Sequence, residues 1–387
     1  MNKRRKTIVH IITGLGLGGA ETMLHKLLSS HALAGFDHQV ISLGDMGTLG
    51  HKLAQAGIAV HCLGMRRGLP TPMAWWRLRR LLRKLQPDLL QGWMYHGNLA
   101  ASLAGGAVRR KVPVMWNVRQ SLYDLRQERW LTRQVIRLSA SLSPRVTGII
   151  YNSRNAAHCH ERHGFAAARG HILPNGFNTA QFAPDAGLRQ QTRNELGISD
   201  EQIALGLIGR YHPMKDHACF LRAASLLLAR YPQIRLVFAG SGVDEHNAAL
   251  LRQMQALGLT DVTRLLGERS DMPAVMCALD IAVSSSYNEG FPNVVGEAMS
   301  CGVPCVVTDV GDSAWLVGES GRVVPPRDPP ALAAALAVLV EGGSVMRTAL
   351  GWQARARIMS EFSLEAVAAQ YANLYRHIME EAQPCAA

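Results

Sequence analysis

The sequence predicts an α/β protein with two domains, each a parallel sheet covered by helices. Strand-like apolar segments alternate with helical segments, which is the pattern of parallel sheets. The alternation restarts near residue 203, and a chain of 387 residues is long enough for two domains. The charge also changes: residues 1–170 contain 25 Lys and Arg against 7 Asp and Glu, whereas residues 171–387 contain 16 against 22. Two similar domains with different partners are therefore expected.

The first half begins with a buried strand at 7–12, a glycine-rich turn and a helix at about 20–33. Later apolar runs predict further strands at 39–43, 59–63, 89–91, 112–118 and 146–151. In the second half, the expected strands are 203–208, 235–239, 262–266, 281–284 and 305–308. Helices are expected at 185–200 and after residue 362.

The domain boundary is expected at the turn-rich segment 174–184, which lies where the charge balance changes. We therefore predict an N-terminal domain at 1–180 and a C-terminal domain at 181–362, followed by a helical tail at 363–387.

A helix at 73–86 is expected to be amphipathic. Trp75 and Trp76 lie near its start. One face carries leucines at 78, 81, 82 and 85, and the opposite face carries basic residues at 79, 80, 83 and 84. This pattern is typical of a helix that lies on a membrane surface. An ordinary crossover helix that packs its leucines on a sheet has the same pattern. The basic first half favours a phosphate-rich partner such as an anionic membrane or a lipid phosphate.

Composition excludes several classes of protein. No apolar run reaches the roughly 18 residues of a membrane span. The seven cysteines are scattered and form no C-x-x-C pair, which favours a reducing cytoplasm. The segment 158–163 contains three histidines without a metal-binding framework, and we interpret it as a solvent-exposed helix end. No zinc-finger, RRM or helix-turn-helix signature points to nucleic acid.

Two groups of charged residues suggest a sugar-nucleotide site. Arg210 and Lys215 follow the strand at 203–208, and cations there suit a diphosphate. Glu289 follows the strand at 281–284, and Glu297 lies eight residues later; carboxylates suit sugar and ribose hydroxyls. Asn293 is expected to cap the helix that carries Glu297. The alternative is a set of ordinary surface charges.

The glycine-rich turn after the first strand matches the dinucleotide fingerprint. Gly14, Gly16 and Gly19 have the G-x-G-x-x-G spacing. The fingerprint also expects an acidic residue at the end of the second strand, whereas here Asp45 lies beyond Gly44. This difference argues against NAD binding, and the glycines are expected instead to let the backbone approach a phosphate or an acceptor closely.

The order of these motifs resembles that of the retaining glycosyltransferases of family 4, over roughly residues 7–376. The segments that carry the resemblance are Gly18-Gly19-Ala20-Glu21, Pro174-Asn175-Gly176-Phe177-Asn178, Gly209-Arg210 with Lys215-Asp216, Glu289 to Glu297, Gly302-Val303-Pro304, Thr308-Asp309-Val310-Gly311, and 323–329. The resemblance implies the GT-B fold, in which two Rossmann-like domains face each other across a cleft. The N-terminal domain would bind the acceptor, the C-terminal domain would bind the nucleotide sugar, and the helix in 363–387 would cross back to the N-terminal domain.

The resemblance also implies site residues. Arg210, Lys215 and Glu289 would be catalytic. The donor-binding residues would be Gly18, Gly19, Gly209, Arg210, Lys215, Glu268, Arg269, Glu289, Gly290, Phe291, Asn293, Val294 and Glu297. Family members often carry a histidine after the strand corresponding to 112–118, where this chain has Asn117-Val118-Arg119-Gln120. Arg119 or His96 is therefore the candidate on the acceptor side.

The implied function is metal-independent transfer of a hexosyl group with retention, without a cofactor, because the nucleotide sugar is a co-substrate. A UDP- or GDP-sugar would be the donor, and a lipid-linked or glycan acceptor would receive the sugar in bacterial surface-polysaccharide or lipopolysaccharide synthesis. The enzyme would work in the cytoplasm, with peripheral contact at the inner face of the cytoplasmic membrane. The alternatives are a sugar-nucleotide epimerase of the same fold, an NAD-dependent Rossmann oxidoreductase and a non-catalytic membrane scaffold.

Overall fold

The computed structural model describes residues 4–65, 71–106, 108, 111–122 and 125–382. The chain forms two compact units. The N-terminal unit comprises Met1–Gly176 together with Leu364–Ala387, and the C-terminal unit comprises Phe177–Ser363. The sequence predicts that the first domain ends at 180 and that the second ends at 362. The two boundaries in the structure lie within four residues of these positions.

The N-terminal unit is built on a seven-stranded sheet whose paired strands are all parallel. Its strands are β1 (Thr7–Ile12), β2 (Asp37–Ser42), β3 (Ala59–Cys62), β4 (Leu89–Trp93), β5 (Val114–Val118), β6 (Gly148–Tyr151) and β7 (Gly170–Ile172). Its first helices are α1 (Gly19–Leu28), α2 (Gly47–Gln55), α3 (Pro72–Leu85), α4 (Met94–Gly105), α5 (Trp130–Leu142) and α6 (Arg154–Arg162). The strand order is β3-β2-β1-β4-β5-β6-β7.

The C-terminal unit repeats this architecture with six strands in the order β10-β9-β8-β11-β12-β13. The strands are β8 (Ile203–Ile208), β9 (Ile234–Ala239), β10 (Thr263–Leu265), β11 (Ile281–Ser284), β12 (Cys305–Thr308) and β13 (Arg322–Val324). The helices are α7 (Ala186–Leu196), α8 (His217–Leu228), α9 (Ala248–Ala256), α10 (Met272–Ala278), α11 (Asn293–Ser300), α12 (Ser313–Val317), α13 (Pro329–Glu341) and α14 (Gly343–Arg357). The last helix of the chain, α15 (Leu364–Glu381), belongs to the N-terminal unit.

The predicted class, two parallel-sheet α/β domains, is confirmed. The strands β7 and β13 were missed: each is a three-residue strand at the edge of its sheet, and neither lies in a longer apolar run of the sequence. The helix expected at 20–33 was too long: α1 ends at Leu28, and a separate 3-10 turn follows at His31–Leu33. Ser30 causes this break, because its hydroxyl accepts a bond from the Ala32 amide at 3.2 Å and so caps the new turn.

Helix α15 packs against the N-terminal sheet through polar as well as apolar contacts. Tyr371 and Tyr375 are fully buried, and the Tyr375 hydroxyl donates a hydrogen bond to Gln91 on β4. At the start of the helix, Glu365 accepts a bond from the Ser30 hydroxyl at 2.6 Å. These contacts join residues more than 280 positions apart in sequence.

The expectation of a solvent-exposed helix end at 158–163 is wrong for His160. The ring of His160 is fully buried, with Nε2 2.8 Å from the Tyr95 hydroxyl and Nδ1 2.7 Å from the Ala156 carbonyl. Burial lowers the pKa of His160 to about 4, so the ring is neutral at pH 7. His160 is a core residue, and both of its ring nitrogens form hydrogen bonds with neighbouring groups.

Helix α3 has the two faces expected from its sequence. Leu78 and Leu82 are buried against the sheet, whereas Arg79, Arg80 and Arg83 are exposed. Across the described residues, none of the helices is by itself long and apolar enough to span a bilayer. Only α13 and the helical segment 343–362 meet the length and composition test jointly, and they meet at a bend of 108°.

Candidate active site

The sugar-nucleotide candidates lie at the point where strand order reverses in the C-terminal sheet. Strand β8 pairs with β9 on one side and with β11 on the other, and all three strands are parallel. Ligands of open parallel sheets bind in the crevice at the carboxyl ends of such neighbouring strands. Gly209, Arg210 and Lys215 follow β8, and Glu289 follows β11, so both groups belong to this crevice.

A salt bridge spans the crevice between Lys215 and Glu289. Lys215 Nζ donates to Glu289 Oε1, and both side chains are more than three-quarters buried. Ser286 Oγ lies 3.4 Å from the same carboxylate oxygen. Lys215, Ser286 and Glu289 line one small pocket together with Pro292 and Val294. The two predicted catalytic residues are therefore brought into direct contact, although they are 74 positions apart.

Local hydrogen bonds hold the Lys215 backbone in place. His212 caps the 3-10 turn Pro213–Lys215, its Nδ1 accepting a bond from the Met214 amide at 3.2 Å. Asp216 then caps α8, accepting a bond from the Cys219 amide at 3.2 Å. Ser285 Oγ, at the end of β11, lies 2.9 Å from the Lys215 carbonyl oxygen. The lysine is thus presented by a turn that is tied to the opposite wall of the crevice.

The loop that carries Glu289 depends on Gly311. The φ of Gly311 is +56°, and a Cβ there would lie 2.6 Å from the Gly290 carbonyl oxygen and closer still to that of Glu289. The Asp312 amide donates to the same Gly290 oxygen at 3.1 Å. Only glycine meets both conditions, the left-handed backbone and the close approach. The sequence identified Gly311 only as part of a family motif and did not predict that it holds the loop of Glu289 in place.

Gly209 is held in place by close packing against Gly240. A Cβ at Gly240, whose φ is +143°, would collide with the Gly209 carbonyl and lie 2.8 Å from the Arg210 amide nitrogen. The Tyr211 amide donates to the Ser241 carbonyl at 2.8 Å. The loop after β8 is therefore fixed against the loop after β9, and the Arg210 side chain extends into solvent.

Asn293 does not cap α11, contrary to the prediction. It is the first residue of that helix, and the capping position is Pro292, which makes no side-chain cap bond. The Asn293 amide donates to the Phe291 carbonyl at 3.0 Å. Asn293 is exposed, and Glu297 is half-buried one turn further on.

Phe291 has a structural role in this loop. The Phe291 ring is buried and packs 6.1 Å from Phe177 and 6.2 Å from Trp315, measured between ring centroids. The side chain of Phe291 therefore anchors the loop in the core, and only its backbone remains available to a ligand. Beside this loop, the Arg327 guanidinium lies 4.2 Å over the Tyr287 ring, a contact that the sequence did not suggest.

Arg269 is already bound to protein carboxylates. It forms two hydrogen bonds with Asp271, at 2.8 and 2.6 Å, and one with Glu195 at 3.2 Å. These carboxylates raise the pKa of Arg269. Glu268 is exposed beside it, after Gly267, whose carbonyl accepts a bond from the Gly240 amide at 2.7 Å. The backbone at Gly267 is thus tied to the loop after β9, whereas the Arg269 guanidinium is held by its own neighbours.

Gly18, Gly19 and His96 lie at the equivalent crevice of the N-terminal sheet. Gly18 precedes α1 and Gly19 is its first residue, after β1, whereas His96 follows β4, the next strand in the sheet. A cavity of about 1860 Å³ opens here, and both Gly18 and His96 line it. Partial burial lowers the pKa of His96, which favours the neutral ring at pH 7.

Arg119 serves as a brace in the N-terminal unit rather than as an open acceptor-side group. Its guanidinium donates to the Tyr371 hydroxyl at 2.9 Å, to the Leu173 carbonyl at 3.4 Å and to the Asn175 side chain. Asn117 donates to the same Tyr371 hydroxyl at 2.9 Å. These bonds tie the end of β5 to helix α15, so the geometry leaves His96 as the better acceptor-side candidate.

Within the described residues, no group of three His, Cys, Asp or Glu side chains is arranged to hold a metal ion.

Both halves of the chain are similar to known transferases. Residues 17–181 match the profile described as Glycosyltransferase Family 4, and residues 202–342 match the profile described as Glycosyl transferases group 1. The chain is 26% identical to EpsF of Bacillus subtilis (strain 168) over 333 residues, which cover 80% of each chain. It is 33% identical to the D-inositol 3-phosphate glycosyltransferase of Corynebacterium jeikeium (strain K411) over 218 residues, which are 54% of this chain and 51% of the relative.

The fold is similar to that of a crystallised protein from Anabaena, HepE, in complex with UDP. The TM-score is 0.80 at 21% identity, over 96% of this chain and all of HepE.

Proposed function

This chain belongs to glycosyltransferase family 4 and has the GT-B fold, and from that premise we propose that it transfers a hexosyl group from a UDP- or GDP-sugar with retention and without a metal. The observation that carries the proposal is the Lys215–Glu289 pair across the β8–β11 crevice. A cation and a carboxylate side by side suit the two ends of a sugar diphosphate. HepE, which shares the fold, was crystallised with UDP and with UDP-glucose.

In the proposed reaction, Lys215 and Arg210 neutralise the departing diphosphate. An ammonium has three donors, and the contact with Glu289 uses one of them. Glu289 accepts hydrogen bonds from the hydroxyls of the sugar, and Glu297 accepts them from the ribose. Arg210 is exposed beside the tightly packed Gly209, and in this scheme its guanidinium binds the diphosphate. The Arg269 side chain has no role in this scheme, and the backbone at 267–268 contacts the base.

The acceptor hydroxyl attacks the anomeric carbon from the face that the diphosphate leaves. The bond between that carbon and the phosphate oxygen breaks, and its electron pair stays on the diphosphate. The hydroxyl proton passes to the same phosphate oxygen, so no protein nucleophile is required. Positive charge placed where the negative charge develops is the main source of rate enhancement in this scheme.

We propose that the N-terminal unit binds the acceptor, with His96 at its polar end, whereas Gly18 and Gly19 are proposed to bind the donor. The acceptor is lipid-linked or a glycan of the bacterial cell surface, and the enzyme works in the cytoplasm with peripheral contact at the inner face of the membrane. The exposed arginines of α3 support contact with anionic lipid. The six cysteines among the described residues are unpaired, which supports a reducing compartment.

The proposal is tested first by nucleotide binding. Thermal stabilisation by UDP, GDP, ADP and NAD is compared between wild type and Glu297→Ala. One nucleoside diphosphate should stabilise the wild type, and Glu297→Ala should weaken its binding by about 1–3 kcal/mol, the scale of a charge-assisted hydrogen bond. Stabilisation by NAD alone would overturn the assignment in favour of an oxidoreductase. Conversion of the sugar nucleotide with no acceptor present would favour an epimerase.

Lys215 offers a direct probe of the site, because it is the only lysine in residues 171–387. Labelling with an amine-reactive reagent, read by mass spectrometry of its peptide, should be slowed by the bound nucleoside diphosphate. Lys52, an exposed lysine on α2 of the N-terminal unit, is the internal control. Equal protection of both lysines, or of neither, would count against a phosphate contact at Lys215.

Turnover tests the catalytic roles. Arg210→Ala should lower kcat by roughly 10²–10³, because a transition-state charge contact is lost. Arg252→Ala, which removes an exposed cation from α9, is the matched control and should keep normal turnover. Activity that EDTA abolishes and a divalent cation restores would refute metal independence. Inversion at the anomeric carbon would refute retention.

A further inference from the structure

The cavity of the N-terminal unit has two chemically different walls. Its polar wall is formed at the carboxyl ends of the first strands and includes Thr13, Glu21, Asp45 and His96. Its apolar wall is formed by helices α3, α4 and α5, which contribute Trp75, Leu78, Leu99, Leu103, Val135 and Leu138. A ligand that fits both walls must carry hydroxyl or other donor groups at one end and hydrocarbon at the other.

The apolar wall continues to the outside of the molecule. Leu103 is 53% exposed, Leu138 is 46% exposed and Trp130 is 62% exposed, and all three line the cavity. Single exposed apolar residues are ordinary, but a contiguous exposed patch that leads into a cavity marks a binding surface. The volume of about 1860 Å³ exceeds the ~300–1,000 Å³ of typical small-molecule pockets.

The charges around the opening indicate what enters it. Arg129 lines the cavity, and Arg137 on α5 is exposed near the apolar residues of the same helix. Trp130, which also lines the cavity, is exposed next to Arg129 in the chain. Arginine and tryptophan together at an apolar edge suit the interface between lipid head groups and hydrocarbon. The polar wall inside carries the carboxylates of Glu21 and Asp45, which accept bonds from hydroxyls and repel phosphate.

We propose that this cavity binds a glycolipid acceptor, with its sugar against the polar wall and its hydrocarbon chain between α3, α4 and α5. The inference rests on the proposed transferase function, because it names the acceptor class for that reaction. The open apolar end lets the chain enter from the membrane, and the hydroxylated head lies against the carboxyl ends of β1, β2 and β4.

The probe is a series of n-alkyl β-D-glucosides from butyl to decyl, each below its micellar concentration, with binding measured by calorimetry. A hydrocarbon chain that enters the cavity should bind about fourfold more tightly with each added methylene, which corresponds to ~0.8 kcal/mol. A matching n-alkyl phosphate series should bind more weakly at every length, because the polar wall is acidic.

Leu103→Gln and Leu138→Gln are the test variants, because both side chains are exposed and their replacement should not disturb the core. Each should weaken binding of decyl glucoside at least tenfold and leave butyl glucoside unchanged. Leu226→Gln, a 56% exposed leucine on α8 of the C-terminal unit, is the matched control and should bind both like wild type.

Affinity that does not depend on chain length, or an equal loss in the α8 control, would overturn the proposal. Tighter binding of the phosphate series would replace the glycolipid with a lipid phosphate and overturn the assignment of the polar wall. UDP and GDP binding are measured on the same preparations. If either nucleotide binds while the glucosides do not, only the cavity assignment fails. If wild type binds neither nucleotide, the proposed function itself is refuted.

Discussion

Replacement of Gly311 by alanine tests whether the backbone behind Glu289 positions the candidate site. The substitution has two separable effects. At φ +56°, a non-glycine residue pays a left-handed backbone penalty of about 1–2 kcal/mol. The new Cβ would also lie 2.6 Å from the Gly290 carbonyl oxygen, so the loop carrying Glu289 must move by roughly 1 Å to reach ordinary van der Waals contact.

The structure contains a control that isolates the second effect. Gly343 has a φ of +70° and no atom within 4 Å of a built Cβ. Gly343→Ala therefore carries the same backbone penalty without displacing a neighbour. Gly343→Ala should lower the unfolding temperature of the C-terminal unit by about 2–8 °C, the shift that 1–2 kcal/mol produces in a domain of this size. Gly311→Ala should lower it further, because the close contact adds an overpacking cost of about 1–3 kcal/mol.

The two variants should differ in function. A displacement of about 1 Å in a catalytic group can cost roughly 10²-fold in rate. Gly311→Ala should therefore lower kcat/KM for the nucleotide sugar by about that factor, whereas Gly343→Ala should leave it near the wild-type value. The assay is steady-state transfer with varied donor, on protein whose folded fraction is checked by circular dichroism. Equal kcat/KM values for the two variants would refute the view that Gly311 positions Glu289.

Three further predictions concern stability. Tyr371→Phe removes the hydroxyl that accepts a bond from Arg119 and should cost about 1–3 kcal/mol in urea unfolding of the N-terminal unit; a loss below 0.5 kcal/mol would show that the brace is not stabilising. Arg193→Leu removes the buried arginine that lies 2.9 Å from Asp280, but Arg189 stays paired with the same carboxylate at 2.7 Å, so the C-terminal unit should be destabilised by about 1–3 kcal/mol. A neutral effect on the urea midpoint would contradict this. The pKa of buried His160 is about 4 against 6.5 in the unfolded chain, so the unfolded state binds the proton first as the pH falls. The free energy of unfolding should therefore be unaffected by His160 above about pH 6.5 and should fall by roughly 2 kcal/mol between pH 7.5 and 5. His160→Gln should give a flatter dependence of the unfolding free energy on pH. An unchanged dependence would argue against a contribution from His160.

The order and type of most elements were predictable, because buried strands such as Ile203–Ile208 are continuous apolar runs that need no tertiary information. Predictions failed at element boundaries and where burial depends on distant residues. The Ser30 hydroxyl caps a separate turn, so α1 ends five residues before the expected end. Pro292, not Asn293, takes the capping position of α11, and it makes no side-chain cap bond. His160 was misassigned because its burial depends on Tyr95, which lies 65 residues away.

The residue types of the candidate donor site were also visible in the sequence, but their partners were not. Both carboxylates and both cations were found from their positions after predicted strands. Arg269 and Phe291 were included with them, yet one is bound to Asp271 and the other is buried against Phe177. A motif identifies which residues lie near a site, and only packing decides which side chains face it.

The sequence by itself determined the alternation of strands and helices, the basic and acidic halves and the chemistry present after β8 and β11. These properties depend on neighbours a few positions apart. Tertiary structure alone decided that β11 lies beside β8, which places Lys215 against Glu289, and that Arg119 is bound by Tyr371 instead of lining an open site. Tertiary structure also created the two-walled cavity between α3, α4 and α5. The physical reason is that strand order and side-chain partners are set by the free energy of burying surfaces that are distant in sequence, which no local pattern records.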